Sequence, residues 1–379
     1  DFNLDGRDDL FIGGARGQAP ALYLQGADGT FQSVFQTFLA SEAVYEDVAM
    51  GIFDSNGDGY PDIYMGSGGY SEDKNTLAYR DRLYINKKGA GLERGLLPMK
   101  SSPTGAVAVG DFNGDNRDDI FVGGGAVPNR YPEAASSYML LNQGQKLVEA
   151  PPSFWNTEPP KGIVHTALAA DVTGDQRADL MIAGEWMPIS LYAQNDSGFD
   201  APRTAPHSEG WWNQLHLWPD TADEAHKLLA GNFGENTRWR ANKDQPVEVY
   251  AADFDRSGRH TPIMTHYMQG EKVPVPRRDI LMELMPSLRS DFVKFSTYAE
   301  ARLEDLVPFS EIDHTYGKAV EFRSGIVSGL NEQNLSFTPF PAEIQWSGIH
   351  AFAMSDLNGD GLQDIILGGN NFELEIESA

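Results

Sequence analysis

Short apolar runs of about four to six residues recur along this chain, and each is broken by a polar turn. One set enters the turns: Val48 to Phe53, Ala106 to Gly110, Ala167 to Ala170, Val249 to Ala252 and Ala351 to Ser355. A second set leaves them and ends in small residues: Leu10 to Gly14, Ile63 to Gly66, Ile120 to Gly124, Leu180 to Gly184 and Ile365 to Gly369. A third set follows a variable loop: Ala21 to Leu24, Arg82 to Ile85, Met139 to Leu141 and Ser190 to Ala193. Gly/Asn/Asp turns then lead to a fourth run, at Gly26 to Phe31, Gly89 to Leu92 and Asn195 to Phe199, where Gly and Asn supply the positive φ of tight hairpins. The pattern predicts four short antiparallel strands per unit. Repeated about seven times, that is the pattern of a β-propeller. A β-sandwich would not repeat one turn chemistry in every unit, and a β-helix coil is shorter. The expected fold is all-β, a seven-bladed propeller of four-stranded antiparallel blades.

One stretch has a different period. Between Asp279 and Val307, apolar residues at 281, 284, 285, 288, 292 and 295 follow helical spacing. Pro286 breaks the run, and Ser287 can cap a second helix. A helical insertion over about 277–307 is expected. Strands near Ala319 to Phe322 and Leu335 to Phe337 are then expected to finish the blade opened at residue 253.

The turns between first and second runs carry the chemistry. Asp54-Ser55-Asn56-Gly57-Asp58-Gly59-Tyr60-Pro61-Asp62 has side-chain oxygens at positions 1, 3, 5 and 9. Acidic residues spaced by two on a tight turn aim oxygens at one point, which suits a hard cation such as Ca²⁺. The pattern recurs at Asp1-Asn3-Asp5-Asp9, Asp111-Asn113-Asp115-Asp119, Asp171-Thr173-Asp175-Asp179 and Asp356-Asn358-Asp360-Asp364. Two copies are degenerate. The Asp253 loop keeps two carboxylates, and residues 219–227 have lost the ligands, with Lys227 in the last place. An EF-hand is excluded, because it needs a bidentate Glu at position 12. Ile12, Met65, Val122, Ile182 and Leu367 stand there instead.

Loop starts at 1, 54, 111, 171, 219, 253 and 356 are 53, 57 and 60 residues apart at first, a blade-sized period. All 379 residues therefore read as one propeller domain. Both ends fall short of a full blade, so flanking domains of a longer chain are expected. Cysteine is absent, so there is no disulfide framework and no thiolate metal site. A net charge of −26 makes nucleic acid an unsuitable partner. No apolar run approaches the roughly 18 residues of a membrane helix.

These loops, each followed by an apolar strand and small residues, resemble the FG-GAP/VCBS repeat of integrin alpha-chain propellers. Gly210-Trp211-Trp212-Asn213, Gly184 to Pro188 and Gly231 to Asn236 resemble bacterial secreted VCBS-repeat proteins. The resemblance implies about five Ca²⁺ sites, one per blade loop. Its ligands would be side chains 1, 3, 5 and 9 with the carbonyl of position 7, here Arg7, Tyr60, Arg117, Arg177 and Leu362. The Asp171 loop departs from the pattern at Thr173 and Gln176. An extracellular, cell-surface or periplasmic location is implied.

Loops between second and third strands lie at the other end of each blade. They gather Arg80, Arg82, Arg130, Tyr131, Glu185, Trp186, Asn232, Asn236, Arg238, Trp239, Arg240, Arg277 and Arg278, with Tyr70, Asn371 and Glu373. In an acidic protein this is an Arg/aromatic face. Arg pairs with carboxylate or sulfate. The leading expectation is a non-enzymatic, calcium-stabilised adhesion propeller that binds an anionic glycan or acidic peptide there. The alternatives are a polysaccharide lyase or hydrolase on the same face, and a structural scaffold segment. No nucleophile motif or diagnostic acid–base pair supports catalysis.

Overall fold

The computed structural model describes residues 1–69, 76–218, 226–254, 258–307 and 316–370. It is all-β, with antiparallel sheets and a few short helices. The chain forms two compact units. The first holds Asp1–Pro128, Ala134–Ile182 and Leu191–Arg203; the second holds Asn129–Glu133, Ala183–Ser190 and Thr204–Ala379.

In the first unit, sheet A contains Leu10–Ile12, Ala21–Gln25 and Phe31–Val34. Sheet B contains Asp47–Phe53, Asp62–Ser67, Arg82–Asn86 and Leu92–Arg94. Sheet C contains Thr104–Gly110, Asp119–Gly124, Tyr138–Asn142 and Leu147–Glu149. Each is a meander in chain order. Sheet D has Ile163–Ala170, Asp179–Met187, Ser190–Tyr192 and Arg203–Thr204, its second strand carrying the chain on into the second unit. The expected fourth strand at Asn195 to Phe199 is instead a small hairpin, Gln194–Asn195 with Gly198–Phe199.

Side chains alternate across a strand, so one sheet feeds two cores. Ile63, Met65 and Tyr84 of sheet B pack with Phe2, Leu22 and Leu39. Phe53, Tyr64 and Leu83 pack with Ile120, Val122, Tyr138 and Leu140 of sheet C. The entering strands of B, C and D lie side by side, and glycine permits the approach. A Cβ on Gly51 would sit 2.7 Å from Val109 Cγ2, and one on Gly105 would sit 2.0 Å from Val164 O. The small residues ending the second strands have a related cause. A Cβ on Gly124 would sit 1.9 Å from Ala135 O, where the outgoing loop crosses.

The second unit departs from the expected order. Sheet E begins with Gln214–Trp218 and Lys227–Gly231, but its outer strands are Gly325–Ser328 and Ser336–Pro339. Leu228 pairs with Val327. The strand at Leu335 to Phe337 therefore completes the sheet opened before residue 219, not the one opened at 253. Threaded between the halves of sheet E is sheet F, ordered Glu271–Pro274, Thr261–Met268, Val247–Ala252, Gly317–Ala319. Periodicity marks a strand but does not name its partner. Sheet G is Ala351–Ser355 with Asp364–Gly368.

The insertion within sheet F holds helices Arg278–Leu284, Phe295–Ala299 and Leu303–Leu306, with a 3₁₀ turn at Pro286–Ser290. Leu281, Met282, Met285, Leu288, Phe292, Leu303 and Leu306 bury together against Tyr250 and Ile263. No helix among the described residues is long and apolar enough to cross a membrane.

Candidate functional site

Four Asp-rich loops join first to second strands, a fifth at Asp1 precedes Leu10–Ile12, and all five share one hydrogen-bond plan. The first Asp accepts backbone N–H groups from inside its own loop. Asp54 takes those of Gly57 at 2.8 Å and Gly59 at 2.7 Å, and Asp111 takes those of Gly114 and Asn116, both at 2.7 Å. Asp171 takes Gly174 and Gln176, Asp356 takes Gly359 and Gly361, and Asp1 takes Asp5 and Gly6. These bonds need left-handed backbone at the sixth position, where φ is +85° at Gly6, +86° at Gly59, +64° at Asn116, +67° at Gln176 and +85° at Gly361. Asn3, Asn56, Asn113 and Asn358 accept the fifth residue's N–H, and the fifth Asp accepts the seventh's.

The ninth Asp is an anchor beneath the loop. Asp62, Asp119 and Asp179 are fully buried. One oxygen of Asp119 accepts Phe112 N–H at 3.1 Å, and the other accepts Asn142 N–H from the third strand at 2.7 Å. Asp9 does the same with Phe2 and Gln25, Asp62 with Ser55 and Asn86, and Asp179 with Val172 and Gln194. Asp364 accepts Leu357 N–H. Among the described residues, no three carboxylates or imidazoles stand together as a ready metal cage.

The donor set still suits a hard cation. Every side chain involved offers oxygen, and the carboxylates outnumber the cations paired with them. Burial pushes Asp119 up to about 7, and Asp115 and Asp111 add to the rise against its backbone hydrogen bonds. Burial also raises Asp62, Asp179 and Asp118, the last helped by Asp111 and Asp54. A divalent ion over the loop would relieve this repulsion. Asp1, Asn3, Asp5 and the Arg7 carbonyl would hold it in the first loop, with the corresponding groups in the others and the ninth Asp behind them. In the two degenerate loops, residues 219–225 and 255–257 lie outside the described residues.

The residues expected on an Arg/aromatic face divide. Tyr131, Glu185 and Trp186 come together in the second unit: Tyr131 Oη donates to Glu185 Oε2 at 2.7 Å, and Trp186 Nε1 donates to Tyr131 Oη at 2.8 Å. Trp186 sits at a bulge, with φ of +60°, and its ring meets Trp211 edge-on at 5.0 Å. Trp239, Phe233 and Phe322 extend this cluster. Asn236 and Arg238 are exposed nearby in sequence.

Arg82 and Asn232 are corrections, because both are buried. Arg82 pairs with Asp47, with Glu42 at 3.7 Å, and its guanidinium lies 4.2 Å from the Tyr45 ring centre. Asn232 bridges backbone of Trp211, Phe233 and Glu321. Other arginines are committed locally. Arg130 pairs with Glu133 and Arg277 with Asp279. Arg240 donates to the carbonyls of Glu235 and Trp239, and Arg278 to those of Phe292 and Val293. Arg80 is half-buried, and Tyr70, Asn371 and Glu373 lie outside the described residues.

One half-buried group escaped the sequence reading. Asp81 accepts from Tyr64 Oη at 2.6 Å, Ser67 N–H at 2.7 Å, Thr104 Oγ1 at 2.9 Å and Tyr138 Oη at 3.1 Å. These partners are far apart in the chain, so no local motif marks them.

The sheets and loops define a class: antiparallel β-repeats with an Asp-rich loop between the first two strands. Residues 1–65 and 54–122 match the model of the FG-GAP-like repeat, so the chain carries FG-GAP repeats there. A stretch of 156 residues is 32% identical to phosphatidylinositol-glycan-specific phospholipase D of Bos taurus, covering 37% of this chain and 18% of that protein. The chain thus spans about a fifth of this curated relative. Among solved structures, an Agrocybe aegerita lectin, titled for its recognition of non-reducing terminal N-acetylglucosamine, aligns with TM-score 0.40 and 16% identity over 73% of this chain and 63% of its own. The V. cholerae biofilm matrix protein Bap1 aligns with TM-score 0.34 and 14% identity over 97% of this chain and 75% of its own.

Proposed function

We propose that this chain is an extracellular, non-enzymatic binding module: a β-propeller whose blades are sheets A to G, stapled by calcium in the Asp-rich loops. The observation that carries the calcium part is the repeated loop plan. Five loops place oxygens at the same positions, and burial raises the carboxyls of Asp62, Asp119 and Asp179 beneath three of them. The ligand is a glycan, taken at Tyr131, Glu185 and Trp186. A strained, half-buried Trp fixed by a Tyr–Glu chain sets an indole beside hydroxyl-pairing groups. Arg130 and Arg277 are paired with Glu133 and Asp279, so recognition does not depend on those two charges.

Metal analysis with thermal unfolding in excess EDTA tests the first part. Several Ca²⁺ per chain and a lower melting temperature on chelation support it; no bound metal and no shift would remove it. A glycan array, read with wild type and the Glu185→Gln and Trp186→Ala variants, tests the second. Binding lost in both variants supports the site. Binding untouched by either, or binding only to acidic peptides, would refute it.

A further inference from the structure

Resting on the calcium reading above, we propose that the arginine at the seventh loop position is a built-in competitor of the cation. In two loops this side chain folds back in the same way. Arg117 Nη2 pairs with Asp115 Oδ2 at 2.5 Å, while its Nε donates to Asn142 O at 2.9 Å. Arg7 pairs with Asp5 Oδ2, while its Nε donates to Gln25 O at 2.8 Å. Gln25 and Asn142 hold equivalent places. Each is the third-strand residue whose N–H bonds the ninth Asp.

The fifth Asp is thereby used up. Its Oδ1 accepts the seventh residue's own N–H, and its Oδ2 is held by the guanidinium. The other loops differ. Tyr60 stands at the seventh position of the Asp54 loop, and among the described residues Asp58 Oδ2 has no protein partner. Arg177 turns away to Asp196 at 2.5 Å. Leu362 carries no charge, and among the described residues Asp360 Oδ2 meets only the Asn358 amide.

A cation entering the Asp1 or Asp111 loop must displace a guanidinium and then sit beside its charge. In the Asp54, Asp171 and Asp356 loops no guanidinium is held on the fifth Asp among the described residues, although the Lys87 ammonium lies near enough to Asp58 to feel its charge. The pairs are half-exposed, so the penalty is modest, about three- to tenfold in affinity per loop. The loops therefore fill in two classes, and the arginine loops keep part of their shape by an internal ion pair when cation is scarce.

The test is calorimetric titration of the EDTA-stripped full chain with Ca²⁺. Wild type should show two classes of site. Arg117→Ala should move one site into the tighter class, and Tyr60→Arg should move one into the weaker. Circular dichroism and the urea midpoint confirm that both variants fold. If Ca²⁺ binds and neither variant shifts a site, or Arg117→Ala weakens binding, the competitor role is overturned and the calcium reading stands. If stripped wild type takes up no Ca²⁺, both fall together.

Discussion

Gln176 is the residue that departs most from its loop's geometry. It holds φ of +67° at a position filled elsewhere by Gly6, Gly59, Gly361 or Asn116. Left-handed backbone costs a residue with a Cβ about 1–2 kcal/mol, and glycine returns about 0.5–1 kcal/mol of that as unfolded-state freedom. Gln176→Gly should stabilise the protein by about 0.5–1 kcal/mol, read as a higher urea midpoint at unchanged m-value. Asp119 predicts the opposite. Asp119→Ala leaves the Phe112 and Asn142 N–H groups buried without acceptors, at about 1–3 kcal/mol each. A loss of about 3 kcal/mol is expected by the same measurement. At this scale the sequence reading was half complete. Spacing revealed which residues carry oxygens. It did not reveal that the ninth Asp turns under the loop, because its partners lie a whole strand away at Asn86, Asn142 and Gln194.

Between elements, contact depends on absent side chains and on one carboxylate. Gly105→Ala would drive a Cβ against the Val164 carbonyl and part the entering strands of sheets C and D. Overpacking of that kind costs about 1–3 kcal/mol, which a thermal melt would show. Asp81 ties sheet B to sheet C through Thr104 and Tyr138. Burial raises its carboxyl above the ordinary range, against hydrogen bonds from Tyr64, Ser67, Thr104 and Tyr138 that lower it. A carboxyl raised in the folded state contributes most below its unfolded pKa, and that contribution is lost as pH rises through the folded value. Asp81→Asn removes this slope. Its stability relative to wild type should therefore climb as pH rises above about 4 in urea titrations, and a flat difference would exclude the assignment. The strands themselves were legible, because short alternating runs between Gly/Asn/Asp turns have few other solutions. Three strands of sheet C were read, and its fourth, Leu147–Glu149, was not. The pairing of Gly325–Ser328 with Lys227–Gly231 was not, since its strands meet across the whole of sheet F.

The molecule as a whole carries a net charge of −26, much of it in the loops. If calcium fills them, EDTA-stripped protein should melt lower at low ionic strength. Sodium chloride should restore part of the loss by screening, and Ca²⁺ should restore more at matched ionic strength. Equal rescue by both salts would show that general repulsion, not site binding, governs the melt. The FG-GAP repeats were legible at this scale because one chemistry recurs at a blade-sized interval in the first part of the chain. The threading of sheet F into sheet E was hidden, because a repeat signal reports units and not the order in which they close. That threading has a consequence during synthesis. Leu228 and Leu229 emerge from the ribosome long before Val327 and Ile326, their strand partners. At about 5–20 residues per second, the intervening hundred or so residues take roughly 5–20 s to translate. Through that interval the nascent chain exposes an unpaired apolar edge, and this is the window in which chaperone capture or misassembly would act on it.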